Sequence, residues 1–108
     1  LEELIADFDG DADEDELRQS IVNIDYTLRG FLGALKEMRR DVVQSITSSK
    51  LIDTIRDESM AEEIVGAADN VLKSFDCVIF GDVNRDEIKK AIDGVQEILK
   101  EAKRRSYY

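Results

Sequence analysis

Residues 13–47 read DEDELRQSIVNIDYTLRGFLGALKEMRRDVVQSIT, and the fold turns on this stretch. Its large apolar residues are Leu17, Ile21, Ile24, Leu28, Phe31, Leu35, Met38 and Val42, separated by alternating steps of four and three. That spacing lays them along one stripe of an α-helix and does not fit the two-residue alternation of a half-buried strand. Asp13 followed by Glu16 has the N-cap and N3 spacing of a capping box. The periodicity predicts one helix over 14–47, about 51 Å long at 1.5 Å per residue. A helix of that length persists only where its stripe is buried. Val22, Leu32, Val43 and Ile46 widen the stripe beyond a two-stranded seam, as in a bundle helix touching more than one neighbour.

The rest of the chain supplies those neighbours. Leu1, Leu4, Ile5 and Phe8 share one face of a short helix over 1–8, which Gly10 stops. Residues 51–80 read as a kinked helix. Ser59 and Glu62 form a second capping box there, so Ser59 marks an N-cap or the kink. Beyond it run two adjacent stripes, one of Ala61, Val65, Ala68, Leu72, Phe75 and Ile79, the other of Met60, Ile64, Ala67, Val71 and Val78. Gly81 is expected to end that helix as a left-handed C′ residue. The last helix, 85–106, has Asn84 as N-cap, Glu87 at N3, and Val83 and Ile88 at staple positions. Its apolar face is Ile88, Ala91, Ile92, Val95, Ile98, Leu99 and Ala102. Gly94 is read as tolerated at about 1 kcal/mol. Tyr107 and Tyr108 are expected to fray. The fold class is therefore all-α: a single domain over 1–108, an antiparallel bundle of three main helices plus a short N-terminal helix, completed by oligomerisation.

Composition narrows function by exclusion. The 108 residues carry a formal net charge of −10 and contain no Pro, no Trp and no His. An acidic balance disfavours nucleic acid, whose affinity rests on clustered Lys and Arg. The group Lys100, Lys103, Arg104 and Arg105 reads as a helix end complementing the dipole. No apolar run reaches the roughly 20 residues that span a bilayer, so no membrane is expected. One cysteine forms no internal disulfide, and a cytoplasmic setting follows by default. Cys77 itself reads as a buried core thiol, with no His to activate it. Leu1 in place of Met suggests a processed or partial chain.

Length matching points to a partner. The final helix covers only about 33 Å and should run out near Met38 and Ser59. The tip beyond, with Val42, Val43, Ile46, Leu51, Ile52 and Ile55, then has no third helix. Exposing such side chains forfeits on the order of 1.5 kcal/mol each, so a second subunit is expected to cover them, in a homo-oligomer. Tyr26, Gly30, Gly33 and Ala34 lie on the opposite face of the long helix. Small residues there permit close approach by another helix, while the plainer reading is tolerated surface glycine.

Candidate chemistry is sparse. Asp9, Asp11 and Asp13 alternate as the oxygens of a Ca²⁺ loop do, but Ala12, Glu14, Arg18 and Ser20 break both possible EF-hand registers. A solvated, helix-capping run is the simpler reading. Absence of His removes the di-metal bundle motif. Glu62, Glu63 and Asp69 form the nearest approach to the Mg²⁺ site of an all-α pyrophosphohydrolase, but Gly66 stands where an acid is needed. Asp25 and Asp69 flank apolar stripes, as boundary residues paired with Lys or Arg do. No glycine-rich phosphate loop and no catalytic constellation occur, and no cofactor is expected. The expected function is assembly through helix packing. The alternative is an oligomeric enzyme or ligand-binding bundle of nucleotide- or corrinoid-handling type, with a site at a subunit junction.

Overall fold

A computed structural model describes residues 1–56 and 62–105. It contains α1 (Glu2–Ala6), α2 (Glu14–Leu35), α3 (Arg40–Ser45), α4 (Ser48–Ile55), α5 (Glu62–Phe80) and α6 (Arg85–Arg104), with no strand among the described residues. The fold is all-α, an antiparallel bundle built on α2, α5 and α6 with the short α1 laid across it. Ser59, Met60, Ala61, Tyr107 and Tyr108 lie outside the described residues.

Direction follows from contacts between helix ends. Arg18, in the first turns of α2, donates from Nε to the Val78 carbonyl and from Nη2 to the Gly81 carbonyl, each at 3.1 Å. The start of α2 therefore sits at the end of α5. Arg105, just beyond α6, reaches Glu63 at the start of α5 at 3.4 Å. Glu87 at the other end of α6 accepts from the Ser74 hydroxyl. The α5–α6 pair is the most extensive helix contact, and α1 touches both α2 and α6. Arg85 donates to the carbonyls of Gly10 and Ala12, which fixes the loop between α1 and α2.

The expected caps form at both ends of the sequence. Asp13 accepts from the Glu16 amide at 2.9 Å, and Asn84 from the Glu87 amide at 3.1 Å. These satisfy amides that the first helical turn leaves without partners.

The single helix expected over 14–47 is corrected. It ends at Leu35, because a Schellman motif closes it there. The Met38 amide donates to the Gly33 carbonyl and the Glu37 amide to the Ala34 carbonyl. Glu37, at C′, takes the left-handed conformation with φ 56°. A straight helix of about 51 Å would also overrun the molecule, whose longest axis is 40 Å.

Below the break the chain folds back on itself. Thr47 caps α4 by accepting from the Lys50 amide, and α4 packs against α5 and α2. Val43, Leu51, Ile52 and Ile55 thereby enter the chain's own core. This corrects the expectation that a second subunit covers them. Ile46 is half-buried and only Val42 stays exposed. Gly33 makes the fold-back possible. A Cβ there would stand 2.4 Å from Val43 Cγ2, so only a glycine lets α3 approach α2 this closely. Gly94 does the same for α5 and α6, where a Cβ would meet Val71 Cγ2 at 2.5 Å.

Three further readings change. The stretch 51–80 is not one helix, since α4 ends at Ile55 and Arg56 is extended. No described glycine has positive φ, so Gly81 is not a left-handed cap. It is instead demanded by proximity, because a Cβ there would lie 2.8 Å from the Cys77 carbonyl oxygen. Cys77 is exposed rather than buried. Phe75 and Val78 point into the core, and Cys77 lies roughly 200° round the helix from Phe75.

Candidate functional site

Where α2 meets the α3–α4 connection, two charged residues one turn apart are withdrawn from solvent, Arg29 almost wholly and Asp25 in part. Arg29 is 7% exposed. Its guanidinium donates to Ser48 Oγ at 3.1 Å, to the Val43 carbonyl at 3.3 Å and to the Ile46 carbonyl. The last turn of α3 leaves carbonyls without helical donors, and extended Ile46 turns its own out of any helix. Arg29 satisfies them, so one buried cation ties α3 and α4 to α2.

Asp25 has no such partner. Its Oδ1 is buried and accepts no hydrogen bond. A buried acceptor left unsatisfied costs about 1–3 kcal/mol. Burial pushes the Asp25 carboxyl up to about 6; the Arg29 charge pulls against this, and Asp76 on α5 adds to it. The boundary reading thus divides. Asp69 does pair with Lys73, at 3.2 Å, whereas Asp25 keeps an orphaned oxygen.

Asp25, Arg29 and Asp76 line a cleft of about 390 Å³ between α2, α5 and the start of α4. Its apolar wall is Val22, Ile46, Ile79 and Phe80, and Gln44, Thr47 and Ser48 complete it. Phe80 is 84% exposed, an unusual state for a large aromatic side chain.

Beside this cleft lies the outer face of α2. Tyr26 is 52% exposed and Ala34 is exposed. Nothing stands within 4 Å of a Cβ built on Gly30. Tyr26, Gly30, Phe31, Ala34, Arg40 and Gln44 border a shallow depression of about 430 Å³. Gln44 donates to the Tyr26 carbonyl and lines both hollows. Of the residues proposed from sequence, Tyr26 and Gly30 are brought together at this surface, and Gly33 is buried beneath Val43.

The acidic candidates are not gathered. Asp9 Oδ1 accepts from the Asp11 amide, and Asp13 Oδ1 is the α2 cap. Glu62, Glu63 and Asp69 pair separately with Arg56, Arg105 and Lys73. Among the described residues no group of three or more Cys, Asp or Glu side chains could hold a metal ion. The basic end of α6 is engaged in ion pairs: Lys103 with Glu2, Arg105 with Glu63, and Arg104 and Arg105 with Glu101. Hydrogen bonds from Arg104 and Arg105 hold the Glu101 carboxyl down at about 2. No helix among the described residues is long and apolar enough to cross a membrane.

Compared with known proteins, the chain matches no family model, no curated sequence and no solved structure. Arg29, Gln44, Asp76 and Phe80 are site residues that sequence reasoning passed over. The signal for Arg29 was its place four residues after Asp25 and one after Leu28, on the shoulder of the apolar stripe.

Proposed function

We propose that this chain is an assembly protein whose copies pair through the outer face of α2. The observation that carries this reading is Gly30. A glycine inside a helix costs about 0.5–1 kcal/mol relative to alanine. Gly33 and Gly94 are accounted for by Val43 and Val71, but nothing within the chain occupies the space over Gly30. Gly66 is also open, yet its neighbours one turn away are Glu62, Glu63, Asp69 and Asn70, a solvated surface.

The face around Gly30 is different in charge. Gln19, Val22, Asn23, Tyr26, Thr27 and Ala34 carry none, and the charged side chain that borders the hollow, Arg40, is cationic, on a chain whose net charge is −10. Two acidic copies repel, and they approach at least cost where acidic side chains are absent. A protruding Tyr26 one turn from the Gly30 hollow is also self-complementary. Across a two-fold axis with α2 helices antiparallel, each tyrosine enters the other copy's hollow, an isologous contact. This surface is narrower than the one expected from sequence, because the hairpin residues have gone into the core.

Isotope-filtered NMR on a mixture of labelled and unlabelled chains tests the pairing. Intermolecular contacts between the Tyr26 ring and the Gly30 α-protons are expected. Their absence at millimolar concentration overturns the proposal.

A further inference from the structure

We infer that Arg40 of each copy closes over the cleft at the end of α5 in the other copy, pairing with Asp76 and lying on the Phe80 ring. This contact rests on the pairing through α2 proposed above, and it fixes the direction and register of that pairing. Two charges are left over within one chain. Every other arginine holds a carbonyl or a carboxylate. Arg40 is exposed, and among the described residues it has no hydrogen bond or ion pair. Asp76 is half-buried, and no donor among the described residues reaches it either. A carboxylate drawn out of water without a partner is costly. One turn further along the same face of α5 stands Phe80, 84% exposed.

The two-fold arrangement brings these groups together. With Tyr26 of one copy set against Gly30 of the other, the antiparallel α2 helices centre on the level of Leu28, and Val22 stands opposite Ala34. Arg40 borders the hollow beside Ala34, whereas Asp76 and Phe80 border the cleft beside Val22. Both α3 and that cleft lie on one flank of the outer face, because Gln44 lines both hollows. A two-fold axis across antiparallel helices exchanges the ends of α2 and keeps each flank on its own side. Arg40 therefore comes over the other copy's cleft, and the contact is made twice. A parallel pairing of the same faces would leave Arg40 at the far end of α2 from the cleft. Guanidinium suits the place, since it bonds a carboxylate and stacks on an aromatic face in one pose. Positive set against negative also offsets the repulsion between two chains that each carry −10.

The test is a charge exchange, read as the dimer dissociation constant of the whole chain by analytical ultracentrifugation. Arg40→Glu and Asp76→Arg should each weaken pairing about tenfold or more, and Phe80→Ala should weaken it less. Arg40→Glu combined with Asp76→Arg reverses both charges and should restore pairing. Arg40→Glu combined with Asp93→Arg has the same net charge but puts the new cation on the exposed side of α6, and should not restore it. Circular dichroism checks that each variant folds. Arg40→Glu changes a fully exposed side chain, so it decides the matter even where Asp76→Arg disturbs α5. Undiminished pairing in Arg40→Glu, or equal rescue by Asp93→Arg, overturns this contact and leaves the α2 pairing standing. A parent chain that never pairs overturns both.

Discussion

Gly33 and Val43 are in contact so close that a methyl group on the glycine would stand 2.4 Å from Cγ2 of the valine. This one contact decides how the second half of the hairpin is used. It lets α3 lie against α2, which carries Leu51, Ile52 and Ile55 on α4 into the core. Gly33→Ala is therefore expected to destabilise the fold by about 1–3 kcal/mol, the usual range for overpacking. Gly30→Ala, three residues earlier in open space, should stabilise it by about 0.5–1 kcal/mol. Urea unfolding followed by circular dichroism, at concentrations low enough to keep the chain monomeric, measures both. Equal signs for the two would contradict the assigned packing.

Glu37 closes α2 with φ 56°, a conformation that costs a non-glycine residue roughly 1–2 kcal/mol. Glu37→Gly should recover on the order of 1 kcal/mol. Glu37→Val, whose branched side chain fits this region worst, should lose stability. The same unfolding curves report both.

Asp25 gives stability a pH dependence of known sign. Burial pushes its folded carboxyl from the ordinary 3.8 up to about 6. Between these values the folded state holds the proton more tightly than the unfolded chain. Ionisation therefore weakens the fold as pH rises through this window, and the full penalty stands above 6. Discounted for partial exposure, that penalty is on the order of 1–2 kcal/mol. Asp25→Asn should be more stable than the parent at pH 7 by this amount, with the advantage disappearing by pH 4. Arg29 and Asp76 remain in both chains, so the difference between the two curves isolates Asp25.

Arg29 is the buried fastener of α3 and α4. Arg29→Met keeps the length and apolar stem but removes hydrogen bonds to Ser48, Val43 and Ile46. Expected destabilisation is about 2–4 kcal/mol, with two carbonyls left unpaired in the interior. Hydrogen exchange should show the loss concentrated in 40–55. A uniform loss over α5 and α6 would contradict a local fastening role.

The sequence carried much of this architecture and hid particular joints. Leu17, Ile21, Ile24 and Leu28 are core residues as their spacing requires, and Asp13 and Asn84 cap the helices they precede. The end of α2 was not legible. Leu35, Met38 and Val42 continue the helical spacing through it, and the left-handed residue is a glutamate in place of the glycine that usually marks such a stop. Once that break is missed, the tip looks uncovered and asks for another subunit. Gly33 was the available sign of close approach, but the approaching helix belongs to the same chain. Asp25 could be seen at the edge of the stripe. Its orphaned oxygen could not, because that depends on Arg29 turning toward carbonyls that only the fold-back creates.

Assembly through the outer face of α2, around Tyr26 and Gly30, is the central claim, and sedimentation velocity over a concentration series tests it most directly. The parent chain should pass from its 12.2 kDa monomer to a species of twice that mass between micromolar and sub-millimolar concentration. Tyr26→Asp, which places a charge on the proposed contact without touching the core, should remain monomeric throughout with an unchanged helical spectrum. A parent chain monomeric at every concentration, or a dimer that Tyr26→Asp leaves intact, would contradict the account.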